Sequence, residues 1–88
     1  MPRISSFYGI VITMYFDEAH KGRPHFHAAY GDDDAAFDIE SLELIAGKLS
    51  RRAQKLVLEW ARAHQEELRE NWSLARAHKQ PKSIDPLS

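Results

Sequence analysis

The residues able to do chemistry lie close together in the first half of the chain. His25 and His27 stand two apart in the run Pro24-His25-Phe26-His27-Ala28, His20 lies just upstream, and Asp17, Asp38 and Glu40 flank them. Imidazoles at alternate strand positions project from one face. Two of them beside a carboxylate suit two kinds of site. As ligands, His20, His25, His27 and Asp38 form a set for a divalent ion such as zinc or manganese, and two of the histidines with one carboxylate would leave positions open for a substrate. As acid and base, His25 and His27 could move protons at an RNA phosphodiester. Asp38 and Asp17 would then orient the rings, and Lys21 or Arg23 would face the phosphate charge. A third reading is plainer. A histidine opposite a carboxylate on an open sheet face is an ordinary polar pair, worth a few tenths of a kcal/mol to about 1 kcal/mol, or else a partner protein covers that face.

These side chains need strands to hold them. Every glycine falls at or before Gly47, and the prolines are Pro2, Pro24, Pro81 and Pro86, so residues 48–80 contain neither breaker. That division predicts an α+β fold. Residues 9–16, 25–30 and 35–40 read as a three-stranded antiparallel β-meander, followed by one long or two shorter C-terminal α-helices packed on one sheet face. The tract 41–49 reads as a short extra strand or a turn ending at Gly47. Ser50 is the expected N-cap of a helix starting at Arg51. From there Ala53, Val57, Trp60, Leu68, Trp72 and Ala75 trace an apolar stripe at helical spacing. Unbroken from 51 to 79, that helix would run about 44 Å, too long for a domain of this size. Either it breaks near His64–Glu66, the reading favoured here, or its end overhangs and docks on another chain. Residues 1–80 make one domain, and residues 81–88 read as a loosely held tail.

Strand register decides which groups meet. Placing Phe26, Ala28, Phe37 and Ile39 under the helix turns both histidines away from it. Closing the hairpin at Gly31–Asp34 with Tyr30 opposite Ala35 sets His27 across from Asp38 and His25 across from Glu40. A slip of two residues would change these pairs but keep the faces. The preceding strand is expected to bring Tyr15 near His27 and Asp17 near His25.

Composition narrows the field further. The chain has 88 residues, 43% hydrophobic and 28% charged, the balance of a globular domain. It has no cysteine, which excludes disulfides, thiolate metal sites and a cysteine nucleophile. No apolar run is long enough for a membrane span and no signal peptide is visible, and the lack of cysteine fits a reducing cytosol. Residues 1–47 carry a net charge of −5 and residues 48–88 a net charge of +4, which reads best as a solvated surface of both signs, with internal complementarity or head-to-tail association, a homodimer included, as the alternatives. Lys48, Lys55, Arg62, Arg69 and Arg76 recur every seven residues. The stripe could grip RNA or an acidic partner. With Glu59 and Glu66 four residues after Lys55 and Arg62, it reads better as a solvated, ion-paired face.

The start MPRISSFYGIVITMYF, the centre RPHFHAAYG, the stretch RRAQKLVLEWARAHQEELRENW and the ending PKSIDPL together resemble a bacterial family known as domain of unknown function family 4160. The likeness spans essentially the whole chain, and its most specific part is Pro24 to Ala28. Members commonly carry a histidine upstream of that motif, after an acidic residue, where this chain has His20 after Asp17-Glu18. The loop from Ala19 to Arg23 departs from the usual Pro-Pro approach. Members are often encoded beside a second small protein of domain of unknown function family 2442, a pairing that looks like a toxin–antitoxin module. The resemblance thus implies a bacterial, cytoplasmic protein with a cognate protein partner. It carries no catalytic assignment.

Overall fold

The computed structural model describes residues 3–14 and 23–88. Five strands, β1 (Arg3–Phe7), β2 (Ile10–Thr13), β3 (His25–Tyr30), β4 (Asp33–Asp38) and β5 (Leu44–Gly47), precede helices α1 (Arg51–Ala63) and α2 (Gln65–Arg76). The strands form one antiparallel sheet in the order β1-β2-β3-β4-β5. The α+β class stands, but the sheet has five strands where three were expected. The two additions flank the meander, and both carry irregular pairing. β1 bulges between Arg3 and Ser5, and β4–β5 shifts register between Ala36 and Phe37. A bulge breaks the alternation that marks a strand in sequence.

The histidine register differs by two residues from the expected one. Gly31-Asp32 alone closes the β3–β4 hairpin, so Tyr30 pairs with Asp33, His27 with Ala36 and His25 with Asp38. The His27–Asp38 and His25–Glu40 pairs therefore do not form. An even shift preserves the faces, and Phe26 now stacks on Phe37 with ring centroids 5.5 Å apart. In the β2–β3 pair Thr13, not Tyr15, stands opposite His27. Asp17, His20 and Tyr15 lie outside the described residues.

The helical half breaks at His64, whose φ is −123°. Ser50 accepts a hydrogen bond from the Ala53 N–H at 3.2 Å, capping α1. The break keeps both helices on a molecule 33 Å in its longest dimension. α1 seats Trp60, fully buried, against Phe7 and Phe26 at 5.5 and 5.9 Å. No helix among the described residues is long and apolar enough to cross a membrane.

Residues 81–88 are held, contrary to the loose tail expected. The Asn71 amide donates to the Lys82 carbonyl and accepts from its N–H, at 2.8 and 2.9 Å. Ile84 is buried and its N–H donates to the Ile4 carbonyl at 2.7 Å, while the Trp60 indole donates to the Asp85 carbonyl at 2.8 Å. These contacts need Asn71 and Trp60 on two different helices, which no local pattern in the tail reveals.

Among the described glycines, Gly47 is the one whose replacement would drive a Cβ into backbone. Its φ is +74°, and a Cβ there would collide with the Asp34 carbonyl oxygen and lie 2.9 Å from the Ala35 Cα. Gly47→Ala is expected to cost about 2 kcal/mol or more, read as a lower urea midpoint with an unchanged slope.

Candidate functional site

The candidate site lies where β3 begins and β4 ends. Alternation along β3 puts His25 and His27 on one side, with ring centroids 5.1 Å apart and planes crossed at 72°. Antiparallel pairing brings Asp38 opposite His25. So three of the expected groups, His25, His27 and Asp38, are brought to one place.

Their bonding differs from the expected catalytic pattern. Asp38 engages both carboxylate oxygens elsewhere. Oδ2 accepts from the Arg23 guanidinium, and Oδ1 accepts from the N–H groups of Glu40 and Ser41 at 2.7 and 2.8 Å. An aspartate bonding the amides two and three residues onward is a turn-forming device. It shapes the connection from β4 to β5. Burial pushes the Asp38 carboxyl up, but the Ser41 N–H, the Arg23 guanidinium and the Glu40 N–H together hold it below its usual value.

At Nδ1, His25 is oriented by main chain. Its Nδ1 lies 2.8 Å from the Arg23 carbonyl oxygen. A carbonyl can only accept, so Nδ1 carries the proton and, in the neutral ring, Nε2 keeps the lone pair. Arg23 thus holds His25 through its backbone and Asp38 through its side chain, which stays half exposed at 54%.

The histidines were expected to point away from the helices. His25 is instead fully buried, its ring 5.0 Å from that of Trp72 on α2. The break at His64 redirects α2 to this end of the sheet. Gln65 then donates to the Ile39 and Glu40 carbonyls at 2.7 and 3.1 Å, and Arg69 forks onto the Glu40 carboxylate at 2.8 and 2.9 Å. Glu40, expected beside His25, belongs to this clamp, and the Arg69 hydrogen bonds lower its pKa. Arg69 also bonds Glu66 at 2.7 Å, so this member of the seven-residue basic stripe is ion-paired. His27 is half-buried, and the Nε2 atoms of both imidazoles are shielded from solvent.

Sequence reasoning placed Trp72 in the core or an interface without linking it to His25. Its only signal was its place on the apolar stripe. Arg23 was read as a phosphate-facing cation, and its role in anchoring Asp38 had no sequence signal at all. For a metal, no group of three or more histidine, aspartate or glutamate side chains with a suitable arrangement occurs among the described residues. Asp17 and His20, the other two expected members of the site, lie outside them.

The chain matches the family described as Domain of unknown function (DUF4160) over residues 9–73, well over half its length, and belongs to that family. No curated protein and no solved structure matches it.

The Asp38 network has a pH signature. A carboxyl whose folded pKa is lowered adds stability above its unfolded pKa, and that stability is lost as pH falls through the folded value. Asp38→Asn is expected to lower stability by about 1–3 kcal/mol near pH 7. The gap to the wild type should narrow below about pH 4, as followed by urea titrations across pH.

Proposed function

We propose that this chain is the partner-binding component of a bacterial two-gene module of the toxin–antitoxin kind, acting by association with a cognate small protein resembling domain of unknown function family 2442. The observation that carries this reading is the closure of the histidine cluster. An imidazole that acts on a substrate has to reach it, yet His25 is fully buried and both Nε2 atoms are shielded. Asp38 has both oxygens engaged in holding Arg23 and a turn. A polar cluster bonded in this way rigidifies the end of a small sheet and leaves the outer surface for recognition. Small chains bury a modest fraction of their surface and gain stability from association.

A second reading rests on a different observation, the crossed imidazoles 5.1 Å apart beside the half-exposed Arg23 side chain. In it the chain is the toxin and cleaves RNA. His27 takes the 2′-hydroxyl proton, the 2′-oxygen bonds to phosphorus, the bond to the 5′-oxygen breaks, and solvent protonates that oxygen. The product is a 2′,3′-cyclic phosphate. Arg23 faces the charge on phosphorus, and His25 positions His27.

Co-expression with the product of the adjacent gene separates the two. The first reading expects a stoichiometric complex on size-exclusion chromatography, unchanged by His27→Ala, and normal growth when this chain is expressed alone. Growth arrest by the wild-type chain, relieved by a folded His27→Ala variant, would overturn it in favour of the second.

A further inference from the structure

At the opposite end of the sheet, about 17 Å along β3 from His25 at ~3.3 Å per residue, lies a feature the histidine cluster does not use. Tyr8 and Tyr30 are the large hydrophobic residues left exposed among the described ones, at 57% and 43%. They rim a pocket of about 60 Å³ whose lining includes Ile10, Leu56, Ser50 and Arg52.

Tyr8 is held there against its backbone preference. It and Gly9 form the two-residue β1–β2 turn, with φ of +50° and +81°. Turns with both residues at positive φ favour Asn-Gly, and a bulky aromatic in the left-handed region is a strained choice. An outlier of this kind points from structure toward function. The turn also packs Tyr30 in place, since a Cβ on Gly9 would lie 3.3 Å from its ring. Arg52 is exposed and forms no ion pair among the described residues.

We infer that the Tyr8–Tyr30–Arg52 pocket is the docking site for a protein partner, taking one small branched apolar side chain with a carboxylate beside it. Tyrosine and arginine around a small apolar floor are the composition of interface hot spots. Ile10 and Leu56 supply the floor, and the unpaired Arg52 guanidinium suits a carboxylate held through two parallel hydrogen bonds. The charge nearby favours protein over nucleic acid. Asp32, Asp33 and Asp34 follow Tyr30 after Gly31, and three carboxylates at the same end of the sheet disfavour a polyanionic phosphate backbone far more than a single carboxylate seated on Arg52.

This inference names the surface used in the partner-binding reading above and rests on that reading. Its test exploits the strain at Tyr8. Tyr8→Asn puts a preferred residue into the turn, so the variant is expected to melt higher than the wild type while losing binding. A random peptide library panned on the full chain, with counter-selection on Tyr8→Asn, should enrich an aliphatic residue next to Asp or Glu. The selected peptide should bind at least about tenfold more weakly to Tyr8→Asn and to Arg52→Glu, and equally well to His27→Ala. No enrichment, or peptides that bind Tyr8→Asn as well as the wild type, would overturn the site. So would an oligoribonucleotide whose binding Tyr8→Asn abolishes, or a self-association that it abolishes. A complex with the neighbouring gene's product that forms but is indifferent to both pocket variants would overturn the site while leaving the partner-binding reading intact. Absence of that complex alongside Tyr8-dependent peptide capture would do the reverse.

Discussion

A single carboxylate organises the end of the sheet where the histidines sit. Asp38 joins the segment entering β3, through the Arg23 guanidinium, to the turn that launches β5, through the N–H groups of Glu40 and Ser41. Arg23 in turn sets the ring of His25 through its carbonyl. Because the carboxylate is 5% exposed, an unmatched charge there would carry a large desolvation cost. Three donors offset it. Strand ends that would otherwise fray are thereby tied together, and Arg23 links the carboxylate to the ring of His25.

The rest of the core depends on the break at His64. Trp60 packs on Phe26 at one side of the break, and Trp72 packs on His25 at the other. A straight helix could bury one tryptophan on this sheet but would carry the second past its edge. With the break, Gln65 and Arg69 clamp the turn after β4, and Asn71 holds the C-terminal segment that seats Ile84. The two helices do different work. α1 covers the hydrophobic face, and α2 closes the polar end.

The two ends of β3 consequently differ in character. At its start Asp38 bonds Arg23 and the following turn, and His25 is buried beside them. At its end, aromatic rings and an arginine face solvent around a small pocket. Surface of the second kind is what a binding protein keeps open, and interior of the first kind is what holds such a surface in shape.

Much of this was legible in the residue order. The breaker-free stretch after Gly47 marked the helical half, Ser50 its cap, and the stripe through Trp60 and Trp72 its buried face. Strand period alone placed His25 and His27 on one side and Phe26 on the other, since period two survives any even slip in register. What residue order could not supply were contacts between distant segments. Whether Gly31-Asp32 or a longer loop closes the hairpin sets which carboxylate meets which imidazole, and pairing energies decide it. β1 was obscured because its bulge breaks alternation, and the tract 41–49 left strand and turn open where β5 forms. The burial of His25 under Trp72 and the capture of the tail by Asn71 needed α2 to turn at His64, and that turn comes from packing two helices onto one small sheet. Local pattern determined the elements and their faces; the fit among them decided which groups face solvent and which are closed.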